Sequence, residues 1–111
     1  MAGTAGSAAA DDPVLRRFRA APEALYGDRL ERVVLFGSRA RGDHGPDADY
    51  DVAVFLRDFG GLWEELGLLA EAGTAILLDT GAMISAKPFR AGDRMAATPL
   101  MREMRRDGLE V

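Results

Sequence analysis

The sequence predicts an α/β (α+β) fold, a small mixed β-sheet with helices packed mainly on one face. Three observations predict it. A short β-branched apolar run at Val33–Phe36 reads as a buried strand, and the alternation over Asp49–Leu56 has the two-residue period of a second. Longer stretches between and around them have helical spacing. The order is helix, strand, strand, helix, strand, helix, with no internal repeat, as expected of one layered domain. With 111 residues, a single domain over 11–111 is expected, preceded by a tail over 1–10 that has no large side chain to bury.

Each element has its own signals. Asp11 or Asp12 caps the first helix and Pro13 occupies its first position, where a missing N–H costs nothing. Val14, Leu15, Phe18, Ala21 and Leu25 form its apolar stripe, and Pro22 is expected to kink or split it. Residues 37–48, rich in Gly, Asp and Pro, are loop opening with a short helical turn. In the second strand Val52, Val54 and Leu56 face one way, whereas Asp49, Asp51, Ala53 and Phe55 face the other. Leu62, Trp63, Leu66, Leu69, Ala70, Gly73, Ile76 and Leu77 restore the helical period, with Trp63 expected in the core and Gly81 as the stop. Residues 82–87 read as a third strand ending at Pro88. After an irregular stretch, Thr98 and Pro99 start a last helix that turns Leu100, Met101 and Met104 inward and ends at Gly108.

Composition excludes several classes of function. There are 18 acidic and 14 basic residues, a net charge of −4, which argues against a general nucleic-acid coat. The absence of cysteine removes disulfides, thiolate zinc sites and thiol nucleophiles. No apolar run approaches the ~20 residues of a membrane span, and Met1–Ala10 lacks the basic and leucine-rich regions of a signal peptide. A cytoplasmic protein is expected.

Chemistry concentrates in residues 37–51, Gly-Ser-Arg-Ala-Arg-Gly-Asp-His-Gly-Pro-Asp-Ala-Asp-Tyr-Asp. Asp49 and Asp51 lie two apart on a strand, so both carboxylates leave the same face with Cα atoms about 6.5–7 Å apart. Such a pair suits hard divalent cations, because Mg²⁺ takes one or two carboxylates plus water and substrate phosphates. Two cations ~3.5–4 Å apart are the arrangement of in-line phosphoryl or nucleotidyl displacement. Gly37 and Ser38 follow a buried strand at a turn, where backbone N–H groups and a hydroxyl can cradle phosphate. Arg39 and Arg41 can neutralise a triphosphate or a departing pyrophosphate. The expected cofactor is Mg²⁺ in a two-metal site that handles a triphosphate. Other chemistries are less well supported. A calcium loop over Asp47, Asp49 and Asp51 fails at its sixth position, where Val52 replaces glycine. Asp43, Asp47 and the single His44 read as solvated loop, Tyr50 as packing, and Arg102, Arg105 and Arg106 as a solvated helix face or a contact for an acidic partner.

Ten residues separate Ser38 from Asp49, and one separates Asp49 from Asp51. This Gly-Ser, ten residues, Asp-x-Asp pattern resembles the signature of the DNA polymerase β-like nucleotidyltransferase superfamily. The flanking Val-Val-Leu-Phe-Gly-Ser-Arg-Ala-Arg-Gly and Asp-Tyr-Asp-Val-Ala-Val-Phe-Leu, and the ending Pro-Leu-Met-Arg-Glu-Met-Arg-Arg-Asp-Gly, are most similar to its minimal nucleotidyltransferase (MNT) domain in prokaryotes. The resemblance covers roughly residues 12–110. It implies a polymerase β palm-like fold, with Asp49 and Asp51 as metal ligands and Gly37, Ser38 and Arg39 at the nucleotide. It also implies a HEPN-domain toxin as partner, in a hetero-oligomer, silenced by AMP transferred from ATP. The family's usual third carboxylate lies on a following strand; here either Asp79 reaches in from the helix end, or the acid is missing. In the second case the protein is a weak or inactive antitoxin that neutralises its partner by binding. So short a chain has little room for a domain that binds an acceptor, which favours a protein acceptor over a small molecule.

Overall fold

In the computed structural model, residues 12–111 are described, and the expected tail over 1–10 lies outside them. Asp12 is the residue that caps the first helix, α1 (Pro13–Tyr26): its carboxylate accepts from the Val14 and Leu15 N–H groups at 2.9 and 3.4 Å. After a 3-10 turn at Gly27–Arg29 the chain enters β1 (Leu30–Phe36), followed by a single helical turn, α2 (Ser38–Arg41). Next come β2 (Tyr50–Leu56), the long helix α3 (Leu62–Thr80) and β3 (Ile84–Arg90). A 3-10 turn (Ala91–Met95) leads to α4 (Pro99–Asp107), capped by the Thr98 side chain, and to a two-residue strand, β4 (Leu109–Glu110).

The sheet is mixed, in the order β3-β2-β1-β4. β1 runs antiparallel to both β2 and β4, whereas β2 and β3 are parallel because the α3 crossover returns the chain to its starting end. Strand parity divides the core into two. Val33, Leu35, Tyr50, Val52, Val54, Leu56 and Ile84 cluster with Leu15 and Phe18 of α1 and Leu69 and Ile76 of α3. Val34, Phe36, Ala53 and Phe55 cluster on the other face with Met101 and Met104 of α4. The two long helices thus share one face, and the shortest multi-turn helix covers part of the other.

Several expectations are corrected. Pro22 does not split α1 into two helices; it is fully buried within one continuous helix, where packing offsets the lost hydrogen bond. The buried stripe of α1 is Leu15, Phe18, Pro22 and Tyr26, leaving Leu25 44% exposed. Trp63 is not core but 84% exposed; α3 buries Glu65, Leu69, Gly73 and Ile76 instead. The third strand starts later than expected and passes through Pro88, because β3 is an edge strand where an N–H can be spared. β4 has too few residues for its alternation to be read.

Glu65, 2% exposed, is the one buried charged side chain among the described residues. Its carboxylate takes a hydrogen bond from Arg29 Nη2 at 2.7 Å and another from the Gly60 N–H at 3.2 Å. Burial and the adjacent carboxylate push the Tyr26 hydroxyl up to about 12. The ion pair joins the 3-10 turn after α1 to the start of α3. Removing Arg29 would strand a buried charge, so Arg29→Ala is expected to cost about 2–3 kcal/mol in urea denaturation, and adding Glu65→Met should recover most of that loss.

Candidate active site

The end of β1 and the beginning of β2 meet because the strands are antiparallel: Phe36 pairs with Asp51. Gly37 then leaves the sheet at φ 76°, ψ −156°, a region essentially restricted to glycine. A Cβ on Gly37 would lie 2.6 Å from Asp51 Oδ2, so the carboxylate occupies the space that a side chain would fill. Ser38 and Arg39 open the α2 turn, and the first N–H groups of such a turn have no partner within it. The Ala40 and Arg41 N–H groups, by contrast, are both taken by the Gly37 carbonyl at 3.1 Å.

Asp49 lies just before β2 and is exposed; Asp51 is half-buried within it. Asp51 projects from the face of Ala53 and Phe55, and Tyr50 from the opposite face. The Asp51 carboxyl is held above the ordinary carboxylate range. Burial is the largest cause, opposed by Lys87 and reinforced by Asp49 and Glu103, while Arg41 pulls it down. Such a carboxylate pair, open to water on one side, carries oxygen donors suited to a hard cation. Among the described residues, no three acidic or histidine side chains converge on one point that could hold a metal.

The structure separates the other expected site residues. Asp79 does not reach the carboxylate pair: it sits on α3, which covers the opposite face of the sheet, and it pairs with Arg17 of α1. This exposed pair links the two long helices at the surface. Arg39 turns away from Asp51 as well. Its guanidinium lies 3.9 Å from the Tyr50 ring centre, and its Nε donates to the Ala48 carbonyl at 2.8 Å. It clamps the loop that presents Asp49. Tyr50 completes this brace by donating its hydroxyl to Asp12 at 3.0 Å, tying the first helix cap to the strand that carries Asp51.

Arg41 is the loop arginine on the Asp51 side. It bonds Asp43 through Nε at 3.1 Å and lies 3.8 Å from Glu103 of α4. On β3, Ser85 is the register partner of Asp51, and Lys87 is that of Ala53. Laterally paired residues share a face, so Ser85 and Lys87 flank the Asp51 side. Neither was legible as a site residue, because parity along β3 has no meaning until its register against β2 is known. Glu103 lies beside the buried Met101 and Met104, and only the docking of α4 brings it close.

Comparison with known proteins identifies the family and supports the fold. A family model described as "Nucleotidyltransferase domain" matches residues 15–84. "Putative protein adenylyltransferase MJ0141" of Methanocaldococcus jannaschii is 35% identical over 52 residues, 47% of this chain and 52% of that protein. The match therefore spans about half the length of that relative. "Putative protein adenylyltransferase MJ0604" of the same organism is 28% identical over 76 residues, 68% of this chain and 70% of that protein. Among solved structures, a toxin-antitoxin crystal structure with AMP-PNP superposes with a TM-score of 0.56 at 19% identity, over 84% of this chain and 68% of that one. At such identity the superposition speaks for the fold. No helix among the described residues is long and apolar enough to cross a membrane. The family model spans more than half of the chain, including Gly37, Ser38, Asp49 and Asp51: the chain belongs to the nucleotidyltransferase domain family.

Proposed function

We propose that the protein is a Mg²⁺-dependent adenylyltransferase that moves AMP from ATP to a hydroxyl of a partner protein, acting as the antitoxin of a HEPN-type toxin. What carries this reading is one juxtaposition: the Asp49–Asp51 pair against the glycine-only turn at Gly37–Ser38. A divalent cation bound to the two carboxylates would supply positive charge to the triphosphate oxygens. The Gly37 backbone lets phosphate approach closely, the Ser38 N–H and hydroxyl donate to its oxygens, and Arg41 contributes a guanidinium at the rim. In the transfer, a partner hydroxyl oxygen bonds to the α-phosphorus as the bond to the β-bridging oxygen breaks. Pyrophosphate leaves and the hydroxyl proton passes to water. A protein acceptor is supported by the apolar side chains exposed on α3, with Trp63 84% and Leu78 81% exposed, since partner proteins commonly cover such surface. The relatives whose names describe protein adenylyltransferases support the same acceptor class.

A second reading is favoured by β3, whose Asp51-facing positions hold Ser85 and Lys87 and no acid: an antitoxin that acts by binding alone. Co-expression with the toxin, followed by intact-mass measurement with and without ATP and Mg²⁺, separates the two. One AMP added to the toxin is the expected result. An unmodified but silenced toxin establishes the second reading.

A further inference from the structure

Charge on the Asp51 face is distributed unusually for a site that handles triphosphate. Two carboxylates, Asp49 and Asp51, are available as ligands to metal. The further acid that acts on Asp51, Glu103, lies 3.8 Å from Arg41. On the adjoining strand the chain places its only lysine. Lys87 pairs laterally with Ala53, two residues along from the Ser85 that adjoins Asp51. It lies on the same face and is exposed, so its four-carbon stem can swing back over Asp51. The Coulombic influence of this ammonium on Asp51 is the largest of any charged neighbour.

Two divalent cations held ~3.5–4 Å apart need enough anionic ligands to offset their mutual repulsion. Here a lysine ammonium shares the face of the ligands, and no third acid converges on them among the described residues. An ammonium is a compact point charge that binds phosphate well. We propose that the site takes a single divalent cation, and that the Lys87 ammonium provides the second positive charge to the triphosphate. This rests on the reading of Asp49 and Asp51 as a cation seat for nucleotide transfer. It also replaces the two-metal arrangement expected from the carboxylate spacing.

The test is a Mn²⁺ titration followed by electron paramagnetic resonance, with the full chain and a non-hydrolysable ATP analogue. Analogue affinity is measured calorimetrically alongside. Wild type should bind one Mn²⁺ per chain. Lys87→Met should keep that stoichiometry while its analogue affinity falls about tenfold, and Lys87→Arg should retain most of the affinity. Lys87→Asp should admit a second Mn²⁺. Lys87 is exposed, so these variants do not threaten the core. Two Mn²⁺ per wild-type chain, or unchanged analogue affinity in Lys87→Met, would overturn the proposal while leaving nucleotidyl transfer intact. No Mn²⁺ bound by wild type would overturn it together with the cation seat itself.

Discussion

Replacing Asp49 and Asp51 together by Asn is expected to lower AMP transfer by about a thousandfold or more, some 4 kcal/mol of transition-state stabilisation, with the fold intact. Asn keeps the shape of the side chain but loses the charge that seats a cation. The stability of the variant makes the result interpretable. Burial, with Asp49 and Glu103 nearby, raises the Asp51 carboxyl in the folded protein, so the folded state holds that proton more tightly than the unfolded chain does. The stabilisation from the protonated form is complete below the ordinary carboxylate range. It is lost as pH rises through that range to the higher folded value, and ionised Asp51 is a liability at neutral pH. Asp51→Asn should therefore unfold at the same or a higher temperature than wild type at pH 7 without metal, an advantage that shrinks toward pH 3. Calorimetric melting across that window checks the sign. Equal transfer by wild type and the double variant would remove both carboxylates from the chemistry.

Gly37→Ala should produce the second large effect, on stability and nucleotide binding at once. The backbone at φ 76°, ψ −156° costs a side chain about 1–3 kcal/mol, and the new Cβ would collide with Asp51 Oδ2 at 2.6 Å. Either the turn rotates or the carboxylate moves, and both changes spoil the approach of phosphate. Urea denaturation should show a loss of about 3 kcal/mol, with calorimetric affinity for an ATP analogue reduced at least tenfold. Gly42→Ala is the control. That residue is left-handed at φ 83°, ψ 8°, with nothing within 4 Å of its would-be Cβ. It should cost only about 1–2 kcal/mol and leave nucleotide affinity unchanged. Equal loss of affinity in both variants would mean that the Gly37 effect is merely instability.

The elements that the chain announces clearly are those with local causes. Asp12 and Thr98 cap helices through bonds to N–H groups two or three residues on, so their roles were legible within one turn. The β2 alternation placed Asp51 on one side and Val52 on the other correctly, because side-chain parity is a property of the strand itself. Trp63 was misread for the converse reason. Apolar side chains spread around much of this helix, so its helical spacing alone does not say which face meets the sheet, and the buried positions are Glu65, Leu69, Gly73 and Ile76.

The candidate site divides in the same way. Gly37, Ser38, Asp49 and Asp51 could be named from spacing, since a hairpin of two antiparallel strands needs only a loop to bring them together. Spacing does not place Asp79, Arg39, Lys87 and Glu103, because their positions depend on which sheet face α3 covers, how Tyr50 receives a guanidinium, how β3 aligns with β2 and where α4 docks. The sequence alone therefore determined the two central strands, the caps and a carboxylate pair beside a glycine turn. Tertiary structure alone decided that the neighbouring strand brings an ammonium, and not a third acid, to that pair, because strand register is settled by packing between distant segments and leaves no local pattern to read.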